Sequence, residues 1–206
     1  MDSTQYARLA IIRSVERSRL VPQSARFNPD FAKVTHGTVI GLEGKTYSVF
    51  SVSHYDEWSW NFKKDEKFRV HEWGMTCLET GETAWFEWEK DDVVTAFLSS
   101  RKLDSDPSIF GAKDWKSFLD DDRLDRSLKI RFEGGVFTYD DEESWAAKYY
   151  RDGEGEPRIV RCYEFGSQGP ENLTIEVWGK DGSGGVEIWL SGQVPPSAVT
   201  LLARGS

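Results

Sequence analysis

"GLEGKTYSV" at Gly41–Val49 and "RFEGGVFTY" at Arg131–Tyr139 are one pattern written twice, about 90 residues apart. Each is a β-type run, a Glu-Gly turn and a second β-type run. Reading outward, the echo continues. "FRVHEW" (Phe68–Trp73) finds a counterpart in "RIVRCYEF" (Arg158–Phe165), and "TAWFEWEKDDVVTAFLS" (Thr83–Ser99) in "LTIEVWGKDGSGGVEIWLS" (Leu173–Ser191). The same elements recur in the same order, so the pattern predicts internal duplication. The expected fold is mainly β: two similar antiparallel β half-domains, barrel- or sandwich-like, related by a pseudo-twofold axis.

The expected organisation has four parts. Residues 1–34 hold an N-terminal helix and a loop, 35–100 the first β half-domain, 101–126 an acidic helical connection, and 127–203 the second half-domain. The helix is read over 3–20, where Ser3 or Thr4 can cap it and no Gly or Pro interrupts before Pro22. Its apolar residues do not form one stripe, so it can pack on its own domain or on a second copy. The connection is polar, with a short helix expected near Lys113–Leu119 and an Asp120–Asp122 run read as a solvated exit. Lys180-Asp181-Gly182 fits a tight reversal that needs positive φ at Gly182.

Alternation assigns faces. Ala84, Phe86 and Trp88 share one side, with Trp85, Glu87 and Glu89 on the other. Leu173, Ile175 and Val177 alternate with Thr174, Glu176 and Trp178; Val186, Ile188 and Leu190 alternate with Glu187, Trp189 and Ser191. Both strands thus have one apolar face and one that mixes Trp with Glu. In "HYDEWSWNF" (His54–Phe62) the side with His54, Asp56, Trp58 and Trp60 is expected to face inward, with His54 and Asp56 near a rim.

The chain of 206 residues has a net charge of −9, with nine Trp among 14% aromatic residues. Negative charge disfavours nucleic acid, because phosphate binding needs a field of Lys and Arg. No apolar run is long enough for an integral membrane segment. The N-terminus lacks a secretory signal's apolar core, so the expected compartment is the cytoplasm. Cys77 and Cys162 are expected to stay unpaired there.

Several of these residues resemble a prokaryotic family known as domain of unknown function 4178. Gly44, Tyr47 and Val49 match its early "G-x-x-Y-x-V", and Trp85, Phe86, Glu87 and Trp88 its aromatic–acid–aromatic strand. Leu173, Ile175, Glu176, Trp178 and Gly179, then Glu187 and Gly192, match its late pattern. The resemblance covers about Thr35 to Leu202. It implies a soluble, β-rich accessory protein, some relatives of which occur beside polyamine-metabolism and membrane-stress genes. It implies no catalytic residues.

The residues admit three kinds of site. His54, Asp56, His71 and Glu72 could converge as a metal-dependent hydrolase centre, although no HExxH or HxH spacing supports it. Glu87 and Glu176, at matched positions, could serve as an acid/base pair if indole rings bury them. The favoured expectation is a non-enzymatic accessory module. Its ligand-binding residues would be Asp56, Trp58, Trp60, Trp85, Glu87, Glu176, Trp178, Glu187 and Trp189. Rings with neighbouring carboxylates suit a protein partner or a small cationic ligand. An immunity protein that neutralises a basic toxin is the alternative. No catalytic residue, metal or cofactor is expected.

Overall fold

The computed structural model describes residues 13, 15, 19–119, 127–153, 155–180 and 182–205. The expected N-terminal helix and the Asp120–Asp122 run therefore lie mostly or wholly outside the described residues. The echoed Glu-Gly pairs form two tight hairpins. β1 (Val39–Leu42) returns as β2 (Lys45–Trp58), with Glu43 at φ 50° and Gly44 at φ 76°. β6 (Lys129–Phe132) returns as β7 (Gly135–Tyr150), with Glu133 at φ 48° and Gly134 at φ 83°. Two successive positive φ angles are the signature of a two-residue type I′ turn, whose twist matches the flanking strands.

β3 (Asp65–Cys77), β4 (Thr83–Lys90) and β5 (Val94–Leu103) follow the first hairpin. β8 (Arg158–Ser167), β9 (Glu171–Trp178) and β10 (Gly185–Gln193) follow the second. β11 (Thr200–Ala203) closes the chain against β1. Gly182 has the positive φ its turn requires, at 78°.

All pairings are antiparallel, in the order β11-β1-β2-β3-β4-β5-β10-β9-β8-β7-β6, and β2 also pairs with β7. That extra pairing, from His54↔Tyr150 to Trp58↔Ala146, closes eight strands into a ring. The expected barrel- or sandwich-like halves are thus corrected to a single sheet, ring-like but not a barrel. The reason is backbone hydrogen bonding: β2–β7 and β5–β10 join the two segments edge to edge, so neither segment closes on itself.

The outer face carries the main apolar cores. Trp73, Met75, Phe86, Ala96 and Leu98 pack under Phe31 and Val34, which come from the loop before β1, and under Val194 and Val199. Phe31 sits edge-on to Trp73 at 5.1 Å and to Phe86 at 5.7 Å between centroids. In the other half, Ile130, Phe137, Tyr163, Phe165, Ile175 and Ile188 are covered by the connection. Its short helix, α1 (Trp115–Phe118), begins at Asp114, whose carboxylate accepts from the Ser117 amide. Phe110, Trp115, Phe118 and Leu119 reach the core from this otherwise polar segment.

With both outer faces covered by loops, the opposite face turns into the ring. Tyr55 on β2 comes within 3.5 Å of Glu176 on β9, a contact across the ring between strands that do not pair. Among the described residues no helix is long and apolar enough to cross a membrane.

Candidate functional site

The inside of the ring carries the Glu-and-Trp faces. Glu72 and Glu87 are cross-strand partners on β3 and β4, and Glu176 pairs with both Glu187 on β10 and Cys162 on β8. A carboxylate in such a place is costly unless hydrogen bonds or protons compensate it.

Glu72, 5% exposed, accepts hydrogen bonds from the Tyr55 hydroxyl at 3.0 Å and the Tyr149 hydroxyl at 2.8 Å. Burial still outweighs these two donors and pushes its pKa up to about 7. Glu164 accepts from the Thr174 hydroxyl at 2.7 Å, and burial likewise raises it to about 7. Glu176 is raised to about 8, first by burial and then by the negative field of Glu72. Glu87 is pushed well above the usual carboxylate range by burial and by Glu72 and Glu176, and no side chain among the described residues donates a hydrogen bond to it. Its surface is partly accessible because cavities reach it from both ends of the ring.

The first cavity has a volume of about 540 Å³ and opens where β4 ends and β9 begins. Its lining includes Glu57, Glu87, Glu89, Asp140, Glu142, Glu143 and Glu164, with the rings of Phe68, Phe97 and Trp145, and no Lys, Arg or His. A bulge delivers several of these acids. The β7–β8 register slips between Asp140 and Trp145. The Ser144 hydroxyl holds the slip by donating to the Asp140 carbonyl at 2.6 Å and accepting from the Glu164 amide at 2.9 Å.

The second cavity, about 100 Å³, opens at the opposite end. It is lined by Glu72, Glu87, Glu176 and Glu187, by Tyr55 and Tyr149, by Trp85, Trp178 and Trp189, and by Arg151 and Arg158. Gly74 makes room for the aromatic wall there: a Cβ at that position would come within 2.6 Å of Trp85 and 2.7 Å of Phe50. Lys102 pairs with Glu187 at 2.9 Å and lies over the Trp189 ring. The indole N–H of Trp178 is buried and finds no acceptor among the described residues. An unmet buried donor of this kind costs about 1–3 kcal/mol.

Six of the nine expected binding residues therefore share one cavity: Trp85, Glu87, Glu176, Trp178, Glu187 and Trp189. The other three do not join them. Asp56 faces the opposite side and accepts from Arg69 Nε at 2.7 Å. Trp58 lies under the Lys148 ammonium at 3.5 Å, and Trp60 packs edge-on against Tyr163 in the second outer core. In "HYDEWSWNF" the buried residue is Tyr55, 2% exposed, not the face with two Trp. Alternation holds through Trp58, with Tyr55 and Glu57 lining the ring's cavities and His54, Asp56 and Trp58 on the other side, so it is the inward assignment of the face that the ring closure reverses.

His54 and His71 are cross-strand partners, with His54 3.9 Å from Asp56, but Glu72 and His36 do not join them. His54 stacks on Tyr150 and His71 on Trp88 on the outer side, while Glu72 points inward. His36 pairs with Asp152 at 2.9 Å. Among the described residues no group of three His, Cys, Asp or Glu side chains is placed to hold a metal ion. Cys77 and Cys162 are free and buried, and burial pushes the Cys162 thiol far up.

Glu57, Glu89, Asp140, Glu142, Glu143 and Glu164 were missed as site residues. A signal was available in "YDDEESW" (Tyr139–Trp145): four consecutive acids inside a β run cannot alternate with a core and so mark a bulge.

These features define a ring-like antiparallel protein with an acid-lined interior. The sequence model for the family described as domain of unknown function (DUF4178) matches residues 35–196, and the chain belongs to that family. No curated protein and no solved structure matches the chain.

Proposed function

We propose that this protein is a non-catalytic binding module that takes a small organic cation into the larger cavity of the ring. The observation that carries the reading is the lining of that cavity: seven carboxylates and five aromatic side chains (Phe68, Trp88, Phe97, Trp145 and Phe165), with no basic side chain. Carboxylates supply Coulomb attraction and rings supply cation–π faces, and both gain strength away from bulk water. The aromatic–acidic faces turn inward, which favours a small ligand over a docked protein.

The raised carboxyl groups add a requirement. A cation binds the ionised form, so its affinity should rise with pH as Glu164 loses its proton around 7. Calorimetry with trimethylammonium, against neutral tert-butyl alcohol as a control of similar size, tests the reading. Saturable binding of the ammonium alone is expected, stronger at pH 8 than at pH 6 and weaker in high salt. Glu164→Gln should weaken it about tenfold, the equivalent of roughly 1.4 kcal/mol. Equal binding of the alcohol, or none of the ammonium, would overturn it.

We further take the two hairpin-led segments as copies of one unit, because β1–β5 and β6–β10 run in mirrored order through the sheet and the Glu-Gly turns coincide. The cavities then lie along the seams where the copies meet. A cytoplasmic setting is supported by two free thiols in a chain whose ring needs no disulfide.

A further inference from the structure

The smaller cavity differs in chemistry from the larger, and only Glu87 lines both. At its mouth the Arg158 guanidinium lies over the Trp178 ring, 4.1 Å from the centroid. Arg151 lines the same mouth, with its side chain 69% exposed. Further in, Glu176 projects from the same face of β9 as Trp178, two residues away, or about 7 Å along the strand. Trp178 lines the cavity from β9, and its buried indole N–H, on a residue 5% exposed, has no acceptor among the described residues.

Glu187 is already paired with Lys102, and Glu72 already accepts from two tyrosines. Glu87, and Glu176 with only the long 3.5 Å contact from the Tyr55 hydroxyl and a hydrogen bond from Trp189, form the acidic end, which an entering ammonium would draw into its ionised form. We infer that this cavity is a second binding site, for a small zwitterion with a carboxylate and an ammonium a few bonds apart, such as an amino acid. The ligand's carboxylate would face Arg158 and Arg151 and accept from Trp178 Nε1–H. Its ammonium would face Glu176 and Glu87. The 7 Å step suits a molecule whose two charged groups are separated by one to three carbons, once a hydrogen-bond length is allowed at each end. A simple cation would meet the two guanidinium groups first, and a simple anion would meet the carboxylates beyond them.

The indole N–H resonance of Trp178 in ¹⁵N-labelled protein reads the site directly. Glycine, β-alanine and 4-aminobutanoate would be titrated against methylammonium and acetate. At least one zwitterion should move the resonance saturably, and neither single-charge ion should do so over the same range. Arg158→Gln, at an exposed position, should weaken the response at least tenfold, while trimethylammonium binding to the larger cavity is retained. Absence of a saturable shift with all three zwitterions would overturn the proposal. So would an equal shift from methylammonium or acetate alone, or an undiminished response in Arg158→Gln. The three overturning outcomes do not depend on whether the larger cavity binds a cation.

Discussion

One end of the ring gathers seven carboxylates and no base, whereas the other sets four carboxylates against two arginines, two tyrosine hydroxyls and a lysine. Both linings come from the same face of the same strands. At the arginine end the protein answers much of its own charge: Tyr55 and Tyr149 serve Glu72, and Lys102 serves Glu187. At the carboxylate end Glu164 has Thr174, but the lining contains no cation. An enclosed surface of one sign has two ways to lower its energy: it takes up protons or it takes up a ligand of opposite sign. The contrast teaches that a shared strand pattern fixes where acids point, while the residues around them decide whether they are structural.

The largest expected effect is on stability against pH. Glu72 and Glu164 have folded pKa values near 7 and Glu176 near 8, against a usual 4.5. The folded chain thus holds more protons than the unfolded chain from about pH 4.5 to pH 8. Their stabilising contribution is complete below 4.5 and disappears as pH climbs through 7 to 8. At about 1.4 kcal/mol per unit, a loss of 3 kcal/mol or more between pH 5 and pH 8 is expected in urea unfolding. Glu176→Gln should flatten this slope more than Glu164→Gln, because its shift is larger. The reverse order would shift the burden to the carboxylate end and break the contrast.

Next in size is Tyr149→Phe. It removes the shorter of the two hydrogen bonds to Glu72, at 2.8 Å, without opening a large cavity. A hydrogen bond to a buried charged group is worth about 1.5–3 kcal/mol. That loss should appear at pH 8 and shrink at pH 5, where Glu72 carries a proton and needs the donor less. Trimethylammonium binding at the far end should be little changed. A pH-independent loss would mean that Tyr149 acts by packing against Tyr55 and Trp178 instead.

Much of this was legible in the sequence. The Glu-Gly turns, the alternation in "TAWFEWEK" and "LTIEVW", and the connection's short helix all follow local rules that the structure keeps. Six of the expected binding residues line one cavity because Trp85, Glu87, Glu176, Trp178, Glu187 and Trp189 occupy one face of three strands. Alternation states which residues share a face, not which face turns inward. That sign was set by pairings between residues nearly a hundred positions apart, His54↔Tyr150 and Trp58↔Ala146, which no local pattern encodes. The sign of the face, a strand end and a bulge account for the rest. Trp58 keeps the outward parity of His54 and Asp56, Trp60 lies past the end of the strand, and the slip between Asp140 and Trp145 brought acids into the interior.

The smallest effect concerns how the ring is held shut at the arginine end. Asp152, next to Arg151, has φ 53°, an uncommon angle for a side-chain-bearing residue. Its carboxylate accepts from the His36 ring at 2.9 Å, the Ser51 hydroxyl at 2.9 Å and the Val52 amide at 3.1 Å, and its own amide donates to the Ser53 hydroxyl at 3.1 Å. These bonds pin the end of β7 to β2 just beyond the last ring-closing pair. His36 and Asp152 are 53% and 41% exposed, so water competes and His36→Gln should cost less than about 1 kcal/mol. The consequence for the comparison is local. Hydrogen exchange of the Ser53 and Tyr150 amides should quicken while that of Ala146 and Ala147, at the other end of the β2–β7 pairing, stays as it was. Equal quickening at both ends would show that the ring opens as one unit, and the two mouths would then share a single closing element.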